Sequence, residues 1–161
     1  MTAKVLNKMI HYFEKDIRRV NHALKVFGFA GVIGGLEKIT DFQRSVVELA
    51  AILHDIGIRE AERKYNSSAG RYQEKEGPPI AEEMMKSEGI EASVIERVCY
   101  LIGNHHSYGK IDGEDFQILV EADFLVNIEE DAIMKEAVEN IKTKYFKTIT
   151  GKAILESLYK R

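Results

Sequence analysis

Apolar residues recur at helical spacing along most of the chain, and this pattern predicts an all-α protein. A repeat of i, i+3, i+4 and i+7 places such residues on one helix face, which then packs against a core. The sequence carries no strong strand signal, internal repeat or low-complexity tract. The repeat predicts a bundle of about seven to nine helices, with stripes over residues 3–15, 16–27, 41–55, 59–64, 79–88, 93–103 and 114–130 and two more within 132–161.

Local sequence signals set the expected helix ends. Residues 40–43 and 93–96 have the composition of capping boxes, so a helix is expected to begin at each. The four glycines between 28 and 35 are expected to end the second helix. Pro79 is expected to open a helix, because proline is tolerated in the first helical turn. Gly57 is expected to close the helix before it in the left-handed conformation.

Length and composition favour one ordinary globular domain over residues 1–161. The chain is 45% hydrophobic and 30% charged, with a net charge of −3, which argues against a general nucleic-acid binder. No apolar run approaches the roughly 20 residues that span a bilayer, and no signal peptide is recognisable, so no membrane association and a cytoplasmic location are expected. Cys99 is the single cysteine and fits a buried structural thiol.

Polar groups with metal-binding chemistry stand where apolar helix stripes end or are interrupted. His54 and Asp55 follow the stripe of residues 46–53, and His105 and His106 follow another stripe. Asp123 lies within the stripe of the 114–130 helix, where an unpaired carboxylate is costly. His22 lies on the flank of an earlier stripe. Each has an ordinary alternative: a surface pair, a satisfied core histidine or a structural salt bridge.

The set His22, His54, Asp55 and Asp123 would bring two imidazoles and two carboxylates together inside a bundle. These ligands suit manganese, iron, cobalt, nickel or zinc better than magnesium, which prefers mostly oxygen. Spacings of 32 and 68 residues carry no local signature, so the indication comes from order and helical placement.

The same residues resemble the HD superfamily of metal-dependent phosphohydrolases. The segment 49–57, Leu-Ala-Ala-Ile-Leu-His-Asp-Ile-Gly, is similar to its defining motif, and the resemblance covers residues 16–130. It implies a helical HD domain in which His22, His54, Asp55 and Asp123 hold one divalent ion. Residues 131–161 lie beyond the resemblance, and their apolar pattern predicts C-terminal packing helices. Members with two metals carry a further histidine where this chain has residues 73–81, so one ion is expected.

The resemblance further implies hydrolysis of a small phosphorylated compound, with nucleotides among the candidates, by metal-activated water. The candidate catalytic groups are the carboxylate of Asp55 and the imidazole of His105. Two further candidates, Glu74 and Glu76, lie in the segment where two-metal members carry the additional histidine. Candidate substrate-binding residues supply cations, a hydroxyl and an imidazole, namely Arg18, Arg19, Arg59, Ser67, Arg71 and His106. Solvated charges and a plain surface loop are the alternatives for the arginines, the glutamates and the 66–72 segment.

Two other functions remain open from the sequence. The chain could be a non-catalytic HD module that binds a nucleotide or partner, or a structural helical protein with a buried polar network. The apolar positions of the C-terminal helices are compatible with a homodimer or with an intramolecular core.

Overall fold

A computed structural model describes residues 1–159 and shows nine α-helices and one short 3₁₀ helix, with no strand in that range. The all-α prediction and the expected number of helices are confirmed. The elements are α1 Thr2–Phe13, α2 Ile17–Leu36, α3 Asp41–Leu53, α4 Ile58–Tyr65, α5 Gly70–Ser87, α6 Ala92–Ile102, the 3₁₀ helix Tyr108–Lys110, α7 Glu114–Glu130, α8 Lys135–Tyr145 and α9 Ile149–Tyr159.

Helix α3 lies at the centre of the bundle, against α1, α2, α6 and α7. Residues 49–53 are buried without interruption, which shows that neighbours cover this helix on all sides near its C-terminal end. The opposite end is fixed by the predicted capping box: the backbone N–H of Gln43 donates to Thr40 Oγ1 and that of Thr40 donates to Gln43 Oε1. The core therefore holds in place the helix that ends at His54.

Two expected helix ends are wrong, because tertiary packing overrides local propensity. Helix α2 runs through its glycines to Leu36, since Val26, Ala30 and Ile33 continue its buried face. Helix α5 begins at Gly70 and contains Pro78 and Pro79 instead of starting at Pro79. Its buried positions on both sides of the prolines, Gln73, Glu76, Gly77, Ala81 and Met85, hold the helix together across the missing N–H groups.

Gly57 does not close a helix in the left-handed conformation, because its φ is −75°. Its role is close backbone contact: a Cβ there would lie 2.5 Å from the backbone N of Gly77 and 2.6 Å from the carbonyl O of Gln73. The glycine thus lets the turn after α3 touch the backbone of α5.

The second expected capping box is also absent. Helix α6 begins at Ala92, so Ser93 lies inside its first turn and its hydroxyl donates to the carboxylate of Glu91. Cys99 of this helix is only partly buried, whereas the sequence predicted a buried thiol.

The C-terminal helices pack on α7 through a buried carboxylate. Glu121, with no exposed surface, accepts hydrogen bonds from the backbone N–H groups of Lys147 and Thr148 at the turn before α9. Among residues 1–159, no helix combines the length and apolarity that crossing a membrane would require.

Candidate metal centre

Three central helices bring the predicted ligands to one place. The buried face of α2 carries His22, the end of α3 carries His54, and the buried face of α7 carries Asp123. Asp55 follows in the turn between α3 and α4. His54 is 1% exposed and Asp123 8% exposed, so these polar groups are withdrawn from solvent.

The ligand atoms of these side chains converge. His22 Nε2 lies 3.2 Å from His54 Nε2 and 3.1 Å from Asp123 Oδ1. Asp55 Oδ2 is 3.4 Å from both imidazole Nε2 atoms. One potential metal-ligating atom from each of His22, His54 and Asp123 lies within 4.8 Å of the other two.

His22, His54, Asp55 and Asp123 form a cluster through their Nε2 and carboxylate atoms. The Nδ1 atoms of His22 and His54 have hydrogen-bond partners outside this cluster. His54 Nδ1 is 2.8 Å from the carbonyl O of Ala51, to which it donates, and His22 Nδ1 is 2.8 Å from Glu130 Oε2. A neutral imidazole that donates from Nδ1 to these acceptors directs its Nε2 lone pair into the cluster. Two lone pairs facing each other beside two carboxylates suit a shared cation, and the residues fit a divalent metal ion.

His105 and His106 form a second group around the same aspartate. His105 Nδ1 is 2.7 Å from the Ile102 carbonyl, to which it donates, while its buried Nε2 has no hydrogen-bond partner and lies 3.4 Å from Asp55 Oδ1. Donor atoms of Asp55, His105 and His106 fall within 4.8 Å of one another. Asp55 thus presents one oxygen to each group, and the expected single ion stays a prediction.

Opposite charges shift the pKa values of the cluster against the effect of burial. Burial alone lowers the pKa of His54, but Asp55 and Asp123 raise it well above its ordinary value. Burial likewise raises the pKa of Asp55, but His54 and His105 hold it well below its usual range. Protons and a divalent cation therefore compete for the same imidazoles.

His106 behaves differently, because burial and a neighbouring imidazole outweigh the effect of the nearby carboxylates on its pKa. Burial and the neighbouring His105 lower the pKa of His106 to about 4. Its ring is therefore neutral at physiological pH, with Nε2 3.5 Å from Gln73 Oε1. Gly70 makes room for this ring, since a Cβ there would lie 2.9 Å from His106 Cδ2.

Comparison with known proteins places this geometry in a family. The family model described as HD domain matches residues 19–142, which include His22, His54, Asp55 and Asp123. The chain belongs to the HD domain family. A solved structure similar to this HD domain is that of a predicted HD superfamily hydrolase from an uncultured Thermotogales bacterium. The two share 25% sequence identity over 98% of this chain and 84% of the other, with a TM-score of 0.70. None of the curated proteins compared with the chain matches it.

A cavity of about 420 Å³ opens beside the cluster. It reaches His22 and Asp55 and is bordered by α2, the start of α4, the 66–69 loop and the end of α7. Its lining residues are Asp16, Arg18, Arg19, His22, Asp55, Ile58, Ser68, Asn127, Glu130 and Asp131.

The predicted substrate-binding residues divide between this cavity and other surfaces. Arg18 and Arg19 line the cavity, and the guanidinium of Arg19 pairs with Asp16 and Glu62. Ser68 lines it in place of Ser67, whose hydroxyl accepts a hydrogen bond from the backbone N–H of Ala69.

The two other predicted arginines make local contacts outside the cavity lining. Arg59 donates to the carbonyl of Tyr12 and lies over that ring. Arg71 lies over the ring of Tyr72 at 4.6 Å from its centroid.

The two predicted glutamate bases are engaged elsewhere. Glu74 accepts hydrogen bonds from the backbone N–H of His106 and the hydroxyl of Ser107, so it holds the histidine segment in place. Glu76 accepts from Lys64 Nζ and Tyr65 OH, each at 2.8 Å, and lines a different cavity between α1, α4 and α5. The structure therefore brings neither carboxylate into the cluster.

Sequence reasoning missed two residues of α7, Asn127 and Glu130. They lie four and seven positions after Asp123, so they share its helix face. That spacing is the signal that could have found them. Asn127 Nδ2 donates to Asp123 Oδ1 at 3.0 Å, and Glu130 accepts from His22.

Proposed function

We propose that this HD domain is a metal-dependent phosphohydrolase that acts on a small phosphorylated compound, with nucleotides among the candidate substrates. The observation that carries the proposal is the convergence of imidazole lone pairs and carboxylates beside an open cavity. The similarity to a predicted HD superfamily hydrolase supports the same reaction class.

In this proposal His22, His54, Asp55 and Asp123 hold one divalent ion, with manganese, iron, cobalt, nickel and zinc preferred over magnesium. Such an ion lowers the pKa of bound water and polarises a phosphoryl oxygen. The protein residues fix the ligand geometry and exclude bulk water from the buried side of the cluster.

Asp55 and His105 are the candidates for proton transfer. Asp55 Oδ2 lies 3.4 Å from the Nε2 atoms of His22 and His54, whereas Oδ1 lies 3.4 Å from His105 Nε2. The carboxylate can accept a proton from the attacking water and pass it to the unpartnered His105 Nε2, which can then protonate the leaving oxygen.

Arg18 is the cation proposed to bind the substrate phosphate. Both Arg18 and Arg19 line the cavity, but the guanidinium of Arg19 is already paired with two carboxylates. Ser68 can add a hydroxyl at the opposite wall, and His106 stays a candidate substrate contact beyond Asp55.

The test is activity of metal-stripped protein after addition of each divalent ion, against phosphomonoesters, phosphodiesters and nucleotides. We expect phosphate release with at least one ion, and a loss of at least about 100-fold in kcat/KM for Asp55→Ala. Arg59→Ala, outside the cavity lining, is the control and should retain activity. Metal-replete protein that binds nucleotides but hydrolyses nothing in the panel would instead indicate a non-catalytic binding module.

A further inference from the structure

The side chain of Glu130 ends beside the ring nitrogen of His22 that points away from the cluster. Glu130 Oε2 is 2.8 Å from His22 Nδ1, while His22 Nε2 faces His54 and Asp123. The two ring nitrogens thus have separate partners, a carboxylate on one side and the ligand cluster on the other.

This contact supports the tautomer in which His22 can bind an ion. Both ring nitrogens face a carboxylate, since Nδ1 is 2.8 Å from Glu130 and Nε2 is 3.1 Å from Asp123, so a neutral His22 can donate from either one. An ion in the cluster would take the Nε2 lone pair, which leaves the proton on Nδ1, where Glu130 accepts it. A carboxylate behind a metal-binding imidazole also orients the ring and raises its basicity.

The surroundings keep Glu130 in this position. Its side chain is 15% exposed, and Lys25 Nζ lies 3.3 Å from its other oxygen, Oε1. Lys25 and His22 are both on α2, so Glu130 at the last turn of α7 joins the two helices. The adjacent Glu129 also contacts Lys25 but is 63% exposed and has no hydrogen bond to His22.

We infer that Glu130 is the positioning residue of the metal centre, holding His22 in the tautomer and orientation that ligate the ion. The inference rests on the proposed metal centre and concerns how this chain builds it. Asn127 makes a comparable contact, because its Nδ2 donates to Asp123 Oδ1. One face of α7 therefore orients two proposed ligands, His22 of α2 and Asp123 of α7 itself.

The experiment measures Co²⁺ and Mn²⁺ affinity of the full chain by calorimetry and, for Co²⁺, by its visible absorption spectrum. We expect Glu130→Ala to weaken binding by about 10- to 100-fold and to change the Co²⁺ spectrum. Glu130→Gln keeps a hydrogen-bond acceptor without the charge, so its affinity should fall between that of Glu130→Ala and the wild type. Glu129→Ala is the matched control, because it removes the neighbouring carboxylate and its contact with Lys25, and it should bind as the wild type does.

The outcomes separate this inference from the proposed function. A wild type that binds neither ion would overturn the metal centre and the role of Glu130 with it. A wild type that binds, with Glu130→Ala binding equally well and giving the same spectrum, would leave the metal centre standing and overturn the positioning role. If Glu130→Ala fails to fold, Glu130→Gln decides: unchanged affinity and spectrum contradict the role, and weaker binding supports it.

Discussion

At the scale of residues, the cluster is defined by what each ring nitrogen can reach. His54 and His105 each donate Nδ1 to the carbonyl three residues earlier, so both rings are oriented by the end of their own helix. His22 lies inside a helix, where backbone carbonyls are already used, and takes Glu130 as its acceptor instead. A backbone carbonyl thus orients the rings of His54 and His105, whereas a side-chain carboxylate orients the ring of His22.

Protonation of these residues predicts how the metal-stripped protein responds to pH. The pKa of His54 is raised above 6.5, so its contribution to the free energy of unfolding is complete below that pH and is lost as pH rises through the folded value. The pKa values of Asp55 and Asp123 are lowered from 3.8, so their contribution is present above that pH and is lost as pH falls through the folded values. His106 acts in the opposite direction, because its pKa is lowered to about 4, so it destabilises the folded state as pH falls below 6.5. Stability of the stripped protein should therefore be greatest near pH 6.5 and should decline at higher pH.

Urea unfolding of stripped protein from pH 5 to 9 measures this dependence. His54→Gln is the control, because its neutral side chain does not titrate and the decline above pH 6.5 should become shallower. A wild-type stability that stays level or rises from pH 6.5 to 9 would contradict the raised pKa of His54.

At the scale of elements, the ends of the helices position the chemistry, and this is where sequence and structure differ most. The stripe of residues 46–53 correctly predicted that α3 delivers His54 and Asp55, because its apolar residues are buried almost without a break. The C-terminal end of α2 and the start of α5 were mispredicted, because glycine and proline describe local preference while the buried face of each helix is set by its neighbours. Contacts such as that of Glu130 with His22 depend on how two helices cross, which no spacing within one helix specifies.

The turn between α3 and α4 gives a prediction for Gly57. A methyl group there would meet the backbone of α5, so Gly57→Ala should lower the free energy of unfolding by about 1–3 kcal/mol, the usual range for overpacking. It should also weaken metal binding, because Asp55 lies in the same turn. Gly28→Ala in α2 is the control: no atom lies within 4 Å of the added Cβ, and replacing a helical glycine should stabilise by about 0.5–1 kcal/mol. Denaturant unfolding of both variants decides, and equal stability of Gly57→Ala and wild type would contradict the close contact.

At the scale of the whole molecule, the predicted ligands join helices that are distant in sequence. His22 of α2, His54 after α3 and Asp123 of α7 are 32 and 69 positions apart along the chain, yet their donor atoms lie within 4.8 Å. The unfolded chain cannot hold them together, so an ion bound at this centre stabilises the fold as a whole. The order of the motifs allowed the sequence to predict His22, His54 and Asp123 as one set. The cavity beside them arises from the packing of α2 against α7, which the sequence pattern does not specify.

Metal binding should therefore raise the thermal stability of the whole domain in a concentration-dependent way. An ion at 100 times its dissociation constant adds about 2.7 kcal/mol to the free energy of unfolding, which for a domain of this size corresponds to several degrees in Tm. Asp123→Asn keeps the shape of the side chain but removes a charged ligand, so its Tm should respond to the ion only at much higher concentration. Glu76→Gln, whose carboxylate lines the separate cavity, should respond to the ion as the wild type does. A Tm of the wild type that is insensitive to manganese, iron, cobalt, nickel and zinc would show that the cluster is a proton-sharing polar network, because the same imidazoles and carboxylates can be satisfied by protons alone.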